Sequence, residues 1–501
     1  MNAFFEKKLY LFIFSIFFIS ASLFGSHEVP VRHLLTNFDF FQIFNLLASK
    51  EYIFRPPDTV TRFSLFFISI LTLLFSFMLK SDNRNQVSNS MKNTITALSL
   101  LFFITLLITE HIYNIVALLL ISLSIYYAIF YGKKGFNRYE VILLFSYLLI
   151  FIYPFYTSLF HPSSLSELDN YLRFLVVIPV YITLRDINFK LKIFLLSISL
   201  ATFLAGLLAI FQYLYGIGPV NVYSSSTSVF ASIILLFSLI VIMSIPYFEK
   251  NKLEQYFLYL SSMIGLMGWM LTGQRGLLIV LILFILYLLF TKSKSLLWTN
   301  KKPLIFISTF LIIFSFTSPL FDRISNSIDS TYNFIVYDSS HDWKEKDSIV
   351  PRISIWKASV NIISENSFYG IGLDNFNENL ENQILNKKIN PIRDSAFNKS
   401  AGMNHAHNQY LDVYVKTGIL GLITLLIFIY GNIKYFKNGL NLDKSEDNLI
   451  SLIGLLSVYT FSIIMLFQTF LAHQQLTLFM CLMLIIISSI KSNLNDRRNR
   501  I

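Results

Sequence analysis

The chain has 501 residues, of which 54% are hydrophobic, 16% aromatic and 14% charged, and it carries a formal net charge of +11. A soluble protein of this size cannot hide that much apolar surface, so the composition excludes a soluble globular fold and favours the membrane class. The positive charges lie in short segments between apolar runs, where membrane orientation accounts for them and nucleic-acid binding does not. The single cysteine, Cys481, lies inside the last apolar run, so no disulfide within the chain and no cysteine-based metal site is expected.

A membrane-spanning helix needs about 20 apolar residues. Taken in chain order, the runs predict fourteen helices: 8–24, 63–79, 94–109, 115–131, 141–160, 171–184, 193–215, 228–247, 256–273, 277–291, 303–320, 418–436, 449–467 and 475–490. The short runs 171–184 and 277–291 make twelve or thirteen the lower counts. The first run follows Lys7 and Lys8 and resembles a signal-peptide core, but it lacks a convincing cleavage pattern and reads as a retained helix. With the N-terminus in the cytoplasm, most of the 40 Lys and Arg fall in cytoplasmic segments. The short outer turns 110–114, 161–170, 216–227 and 468–474 then hold none. The expected fold is therefore an all-α polytopic inner-membrane protein with both ends in the cytoplasm. It divides into helices 1–320, a large periplasmic loop 321–417 and a C-terminal set 418–501.

That loop is rich in Asp and Glu and contains one amphipathic helix. Pro351 suits a first helical turn, and Ile353, Trp356, Val360 and Ile363 recur at helical spacing. The turn Gly370-Ile371-Gly372 ends it.

Few residues in this chain are placed to carry chemistry. Arg275, in Thr272-Gly273-Gln274-Arg275-Gly276, is the only charge between Tyr256 and Phe290. A charge so close to the membrane is costly and calls for a partner. An anionic phosphate fits the planar guanidinium fork; snorkelling into the headgroups is the plainer reading. Arg173 is similar, with Glu167 and Asp169 near enough to pair with it, and Arg352 opens the amphipathic helix. His407, in Asn404-His405-Ala406-His407-Asn408, lies just before the chain re-enters the membrane at Gly418. A histidine there titrates near neutral pH and can accept a proton from a hydroxyl. It can equally be structural. His405, His407 and the more distant His341 form a weak ligand set, so no metal is expected. His27, His111, His161 and His473 read as interface residues, and Glu345-Lys346-Asp347 as a solvated face.

The segment His407-Asn408, nine residues, Gly418, two residues, Gly421 resembles a pattern of the bacterial O-antigen ligases. The wider family includes O-antigen polymerases and protein O-oligosaccharyltransferases. The turn 272–276, Arg352-Ile353-Ser354-Ile355-Trp356 and Gly370-Ile371-Gly372-Leu373-Asp374-Asn375-Phe376 resemble the family in the same order. The similarity covers about 170–440, and the first two helices look like an addition to the family's usual twelve. The resemblance implies a metal-independent glycosyltransferase without cofactor. Its donor would be a glycan on undecaprenyl pyrophosphate, and its acceptor the lipid A–core oligosaccharide. His407 would be the catalytic base, and Arg275, Arg352 and Arg173 would hold the pyrophosphate. Asn408, Gly418 and Gly421 would be structural motif residues. An O-antigen polymerase is the alternative. A lipid-linked glycan flippase has no need of a long outer loop bearing His and Arg, and a scaffold in an assembly complex is the non-catalytic reading.

Overall fold

The structure, a computed structural model, describes residues 89–132, 135–160, 168–217, 220–290, 349–389, 403–440 and 446–498. The expected helices 8–24, 63–79 and 303–320, and the loop residues 321–348, lie outside the described residues. One compact unit comprises 87–124 and 132–501. The other comprises 1–86 and 125–131, of which only 125–131 are described. The described residues are helical with no strand, and eight of their helices are long and apolar enough to cross a membrane.

Helices α1 (Asn89–Ile108), α2 (Ile112–Tyr131) and α3 (Arg138–Phe160) follow the predicted runs closely. The run 171–184 does not form one helix. It divides into α4 (Leu168–Val176) and α5 (Ile178–Asp186) at Val177. Pro179 enforces the break, because it has no N–H to donate and its ring clashes with the preceding turn. Together the two advance about 28 Å at 1.5 Å per residue, close to the hydrocarbon thickness of about 30 Å.

Next come α6 (Leu191–Leu214), α7 (Thr227–Ser244) and α8 (Lys252–Leu271). Ser226 and Asn251 cap the last two, accepting from the N–H groups of Val229 and Glu254. A 3-10 turn at Arg275–Leu277 leads into α9 (Leu278–Phe290). Over its 13 residues α9 spans roughly 20 Å, short of a full crossing. Then follow α10 (Ile349–Glu365), α11 (Phe376–Leu385), α12 (Gln409–Lys437), α13 (Glu446–Ile464) and α14 (Gln474–Arg498).

Two helices form the centre. The apolar span of α14 is 100% buried and that of α7 is 94% buried, so both are hydrophobic all round and shielded by neighbours. α14 packs on α5 and α13, α7 packs on α8, and α12 packs on α3 and α13.

At one end of the bundle Glu140 is buried. It accepts from Tyr181 Oη at 2.7 Å and pairs with Arg185 at 3.4 Å. Lys491 Nζ caps the end of α12 there, donating to the carbonyls of Tyr435, Phe436 and Asn438 at 3.0, 2.8 and 2.7 Å. Arg185 and Lys491, which the sequence offers only as orientation signals, are thus internal ties at 1% exposure.

The membrane part of α12 begins at Gly418 as expected, and a short helical stretch from Gln409 precedes it; the two are separated at Gly418, where φ is +71° and ψ is −172°. The break frees carbonyls of the preceding turn. Those of Val415 and Lys416 accept from the N–H groups of Ile371 and Gly372 at 2.9 and 3.0 Å, and Ile419 N–H donates to Ser367 O at 3.0 Å. The Gly370-Ile371-Gly372 turn and the Gly418 break are therefore one docking joint between the loop and the bundle. A Cβ on Gly418 would lie 1.9 Å from the Phe368 carbonyl oxygen, in a positive-φ extended conformation that is essentially glycine-only and costs another residue about 1–3 kcal/mol on its own. Gly418→Ala is expected to lower the thermal midpoint and the monodisperse yield in detergent. A melting curve and elution profile matching wild type would disprove the joint.

Candidate active site

At the opposite end, the turn before α12 gathers the chemistry. Asn408 caps α12, its Oδ1 accepting from Tyr410 N–H at 3.0 Å and Leu411 N–H at 3.1 Å. The residue beside the candidate base is thus occupied in starting the helix. His407 sits at φ +50°, a left-handed conformation uncommon for a residue with a Cβ. Such strain concentrates at functional sites. Its Nδ1 is buried and has no hydrogen-bond partner among the described residues.

Two further histidines surround it. The His405 and His407 ring centroids are 4.3 Å apart, and those of His405 and His473 are 6.0 Å apart. His473 Nε2 lies 2.7 Å from Gln468 Nε2. The sequence reading of His473 as a lone interface residue is therefore incomplete. Gln409 ties this segment to α12, donating its N–H to Met465 O at 2.8 Å and accepting Leu471 N–H at 2.9 Å.

Burial pushes the His407 imidazole down to about 3, helped by the charges of His405, Arg352 and His473 and opposed by Asp412. Burial also takes His405 to about 3, with Lys416, His473 and Arg352 adding to it, and lowers His473. All three rings are thus neutral at physiological pH, so His407 already holds the lone pair that a base requires. Burial lowers Arg352 as well, and the second cause is the charge of Arg275. Arg352 is therefore coupled electrostatically to both Arg275 and His407, although 132 positions separate Arg275 from His407. Gly276, next to Arg275, lies against the Phe467 ring, in the segment that carries Gln468.

Arg173 sits at the same end with different contacts. Its guanidinium donates to Gln474 O and pairs with Asp169 at 2.9 Å, tying α4 to the start of α14. Gly421 lies close to Thr417 and Tyr153. Among the described residues no three His, Cys, Asp or Glu side chains converge to hold a metal ion. His341, Glu345 and Asp347 lie outside them.

Sequence reasoning passed over Gln468 and Lys416. Neither stands in a motif, and only packing brings them here.

Residues 260–426 match the sequence model of a family described as O-antigen ligase. That stretch contains Arg275, Arg352, His407, Asn408, Gly418 and Gly421; Arg173 lies outside it. Residues 37–155 match a family of unknown function. An uncharacterized protein of Haemophilus influenzae is 27% identical over 398 residues, which cover 77% of this chain and 95% of the relative.

Proposed function

From an O-antigen ligase family domain at residues 260–426 in a multi-pass membrane protein, we propose that the chain transfers a glycan from undecaprenyl pyrophosphate to the lipid A–core oligosaccharide. The reaction takes place at the periplasmic face of the bacterial inner membrane. What supports this reading is that Arg352 feels the charge of Arg275 and in turn acts on His407.

The acceptor hydroxyl attacks the reducing-end carbon of the donor. As the new C–O bond forms, His407 takes the hydroxyl proton on a ring nitrogen. The bond from that carbon to the pyrophosphate oxygen breaks, and undecaprenyl pyrophosphate leaves. Arg275 and Arg352 hold its oxygens and stabilise the charge that develops there, so no metal ion is required. Arg173 is the third guanidinium of the proposal. Apolar and aromatic helix faces take the polyprenyl chain.

Silver-stained lipopolysaccharide from a deletion strain tests the reading. Loss of ligation leaves bare core and accumulates lipid-linked polymer. Core bearing a single repeat unit would make the chain a polymerase instead.

Orientation is tested separately. Ser225, whose N–H donates to Gln475 Oε1, belongs to the end that carries His473, whereas Asn137 lies beside Glu140 at the other end. Reporter fusions at Ser225 and Asp338 are expected to report periplasm, and those at Asn137 and Lys250 cytoplasm. A cytoplasmic signal at Ser225 would put the site on the wrong side for the donor.

A further inference from the structure

Ala406, between His405 and His407, has both backbone groups taken by side chains from different helices. Its N–H donates to Asp412 Oδ1 at 3.0 Å, from the first turn of α12. Its carbonyl accepts Trp356 Nε1–H at 3.0 Å, from α10. Ala406 is fully buried, packed with Ile355, Ala358, Phe376 and Val415. Asp412 is 2% exposed, and its second oxygen lies 3.2 Å from Lys416 Nζ, one turn along. A pair buried this deeply persists only when its remaining hydrogen-bonding sites are used, and Ala406 N–H uses one. His407, the next residue, is held at φ +50°. A histidine free to relax would leave that conformation.

We propose that Asp412 and Trp356 are positioning residues that clamp Ala406 and thereby set the His407 ring for proton transfer. Lys416 completes the clamp by pairing with the Asp412 carboxylate. Asp412 thereby takes a structural role in catalysis. The inference rests on His407 being the base of the proposed transfer.

The test uses the full chain in lipid nanodiscs, measuring single-turnover transfer, donor binding and pH profiles. Misplacing a catalytic group by about 1 Å costs on the order of 10²-fold in rate. Asp412→Ala is expected to lower the chemical rate by about 10–10²-fold with donor affinity unchanged. Asp412→Asn is expected to recover much of that loss, because an amide oxygen still accepts from Ala406 N–H. Trp356→Phe keeps the ring, loses the donor, and is expected to slow the same step. In case Asp412→Ala fails to fold with Lys416 left unpaired, Asp412→Ala with Lys416→Met removes both charges and is expected to show the same loss.

Wild-type rates in the folded alanine variant would overturn the clamp. So would a loss confined to donor affinity, or an asparagine variant no better than alanine. The base assignment is judged apart, by His407→Ala. Should that variant transfer normally, the clamp is still read from diethyl pyrocarbonate modification of His407, followed by mass spectrometry. Modification rates unchanged in Asp412→Ala and Trp356→Phe would overturn it.

Discussion

His407→Ala is expected to lower turnover by about 10²-fold or more while donor binding stays largely intact. A sugar hydroxyl is a poor nucleophile at neutral pH, and a base acting as the new bond forms typically contributes about 10²–10⁴-fold. The pH profile identifies the base. An unperturbed histidine titrates near 6.5, which would place an acid limb in the neutral range. Burial and the nearby Arg352 hold His407 at about 3 instead. Protonation inactivates a base, so a lowered pKa moves the loss of activity to lower pH. The profile of kcat/KM, which reports the free enzyme, is expected to stay flat from pH 8.5 to about 5 and to fall below that. A bound pyrophosphate brings negative charge among these cations and favours the imidazolium, so the acid limb of kcat is expected at higher pH than that of kcat/KM. His407→Ala is expected to lose both limbs. Near-normal rates with an unchanged profile would remove His407 from the role. His405→Ala is expected to be milder.

Arg275→Ala is expected to abolish transfer while the protein still inserts. Removing one donor that acts on developing charge typically costs about 10²–10³-fold. Arg275→Lys is expected to recover little, because a point charge cannot make paired contacts to phosphate oxygens. Most activity surviving in the lysine variant would refute the paired contact. Arg352→Ala is expected to behave like Arg275→Ala, and Arg173→Ala to show how far its ties to Gln474 and Asp169 exhaust its role. Arg275 also lowers Arg352, so the two cations disfavour each other until an anion joins them. Added pyrophosphate is therefore expected to raise the melting temperature of wild type by linkage, and to do so much less in Arg275→Gln. An equal rise in both would place the anion elsewhere. EDTA in the same transfer assay is expected to leave the rate unchanged. Loss restored by a divalent ion would point to His405 and His407 as ligands.

The membrane class and most helix positions were legible because hydropathy is a local quantity, summed over about 20 residues. The runs 141–160, 193–215, 228–247 and 449–467 all return as helices within a few residues. The division of 171–184 at Val177 carried a local signal too, since Pro179 acts on its own turn. The apolar run placed the start of the membrane helix at Gly418, where the chain does break, and the short helical stretch before it was readable from Asn408, a good N-cap.

The sequence by itself determined the residue types of the proposed site and their order: Arg275, Arg352, His407, then the two glycines. Motif spacing is a property of the chain, and a resemblance can carry it. The tertiary structure alone decided that Arg352 is coupled to both Arg275 and His407, that His473 and Gln468 lie beside His405, and that Asp412 and Trp356 bond Ala406. It also decided that His407 is neutral well below its ordinary pKa. These are matters of burial and of contacts between residues far apart in sequence. The free energy of a charge depends on how much water packing removes and which charges packing brings near, and neither is written in the spacing of residues along a chain.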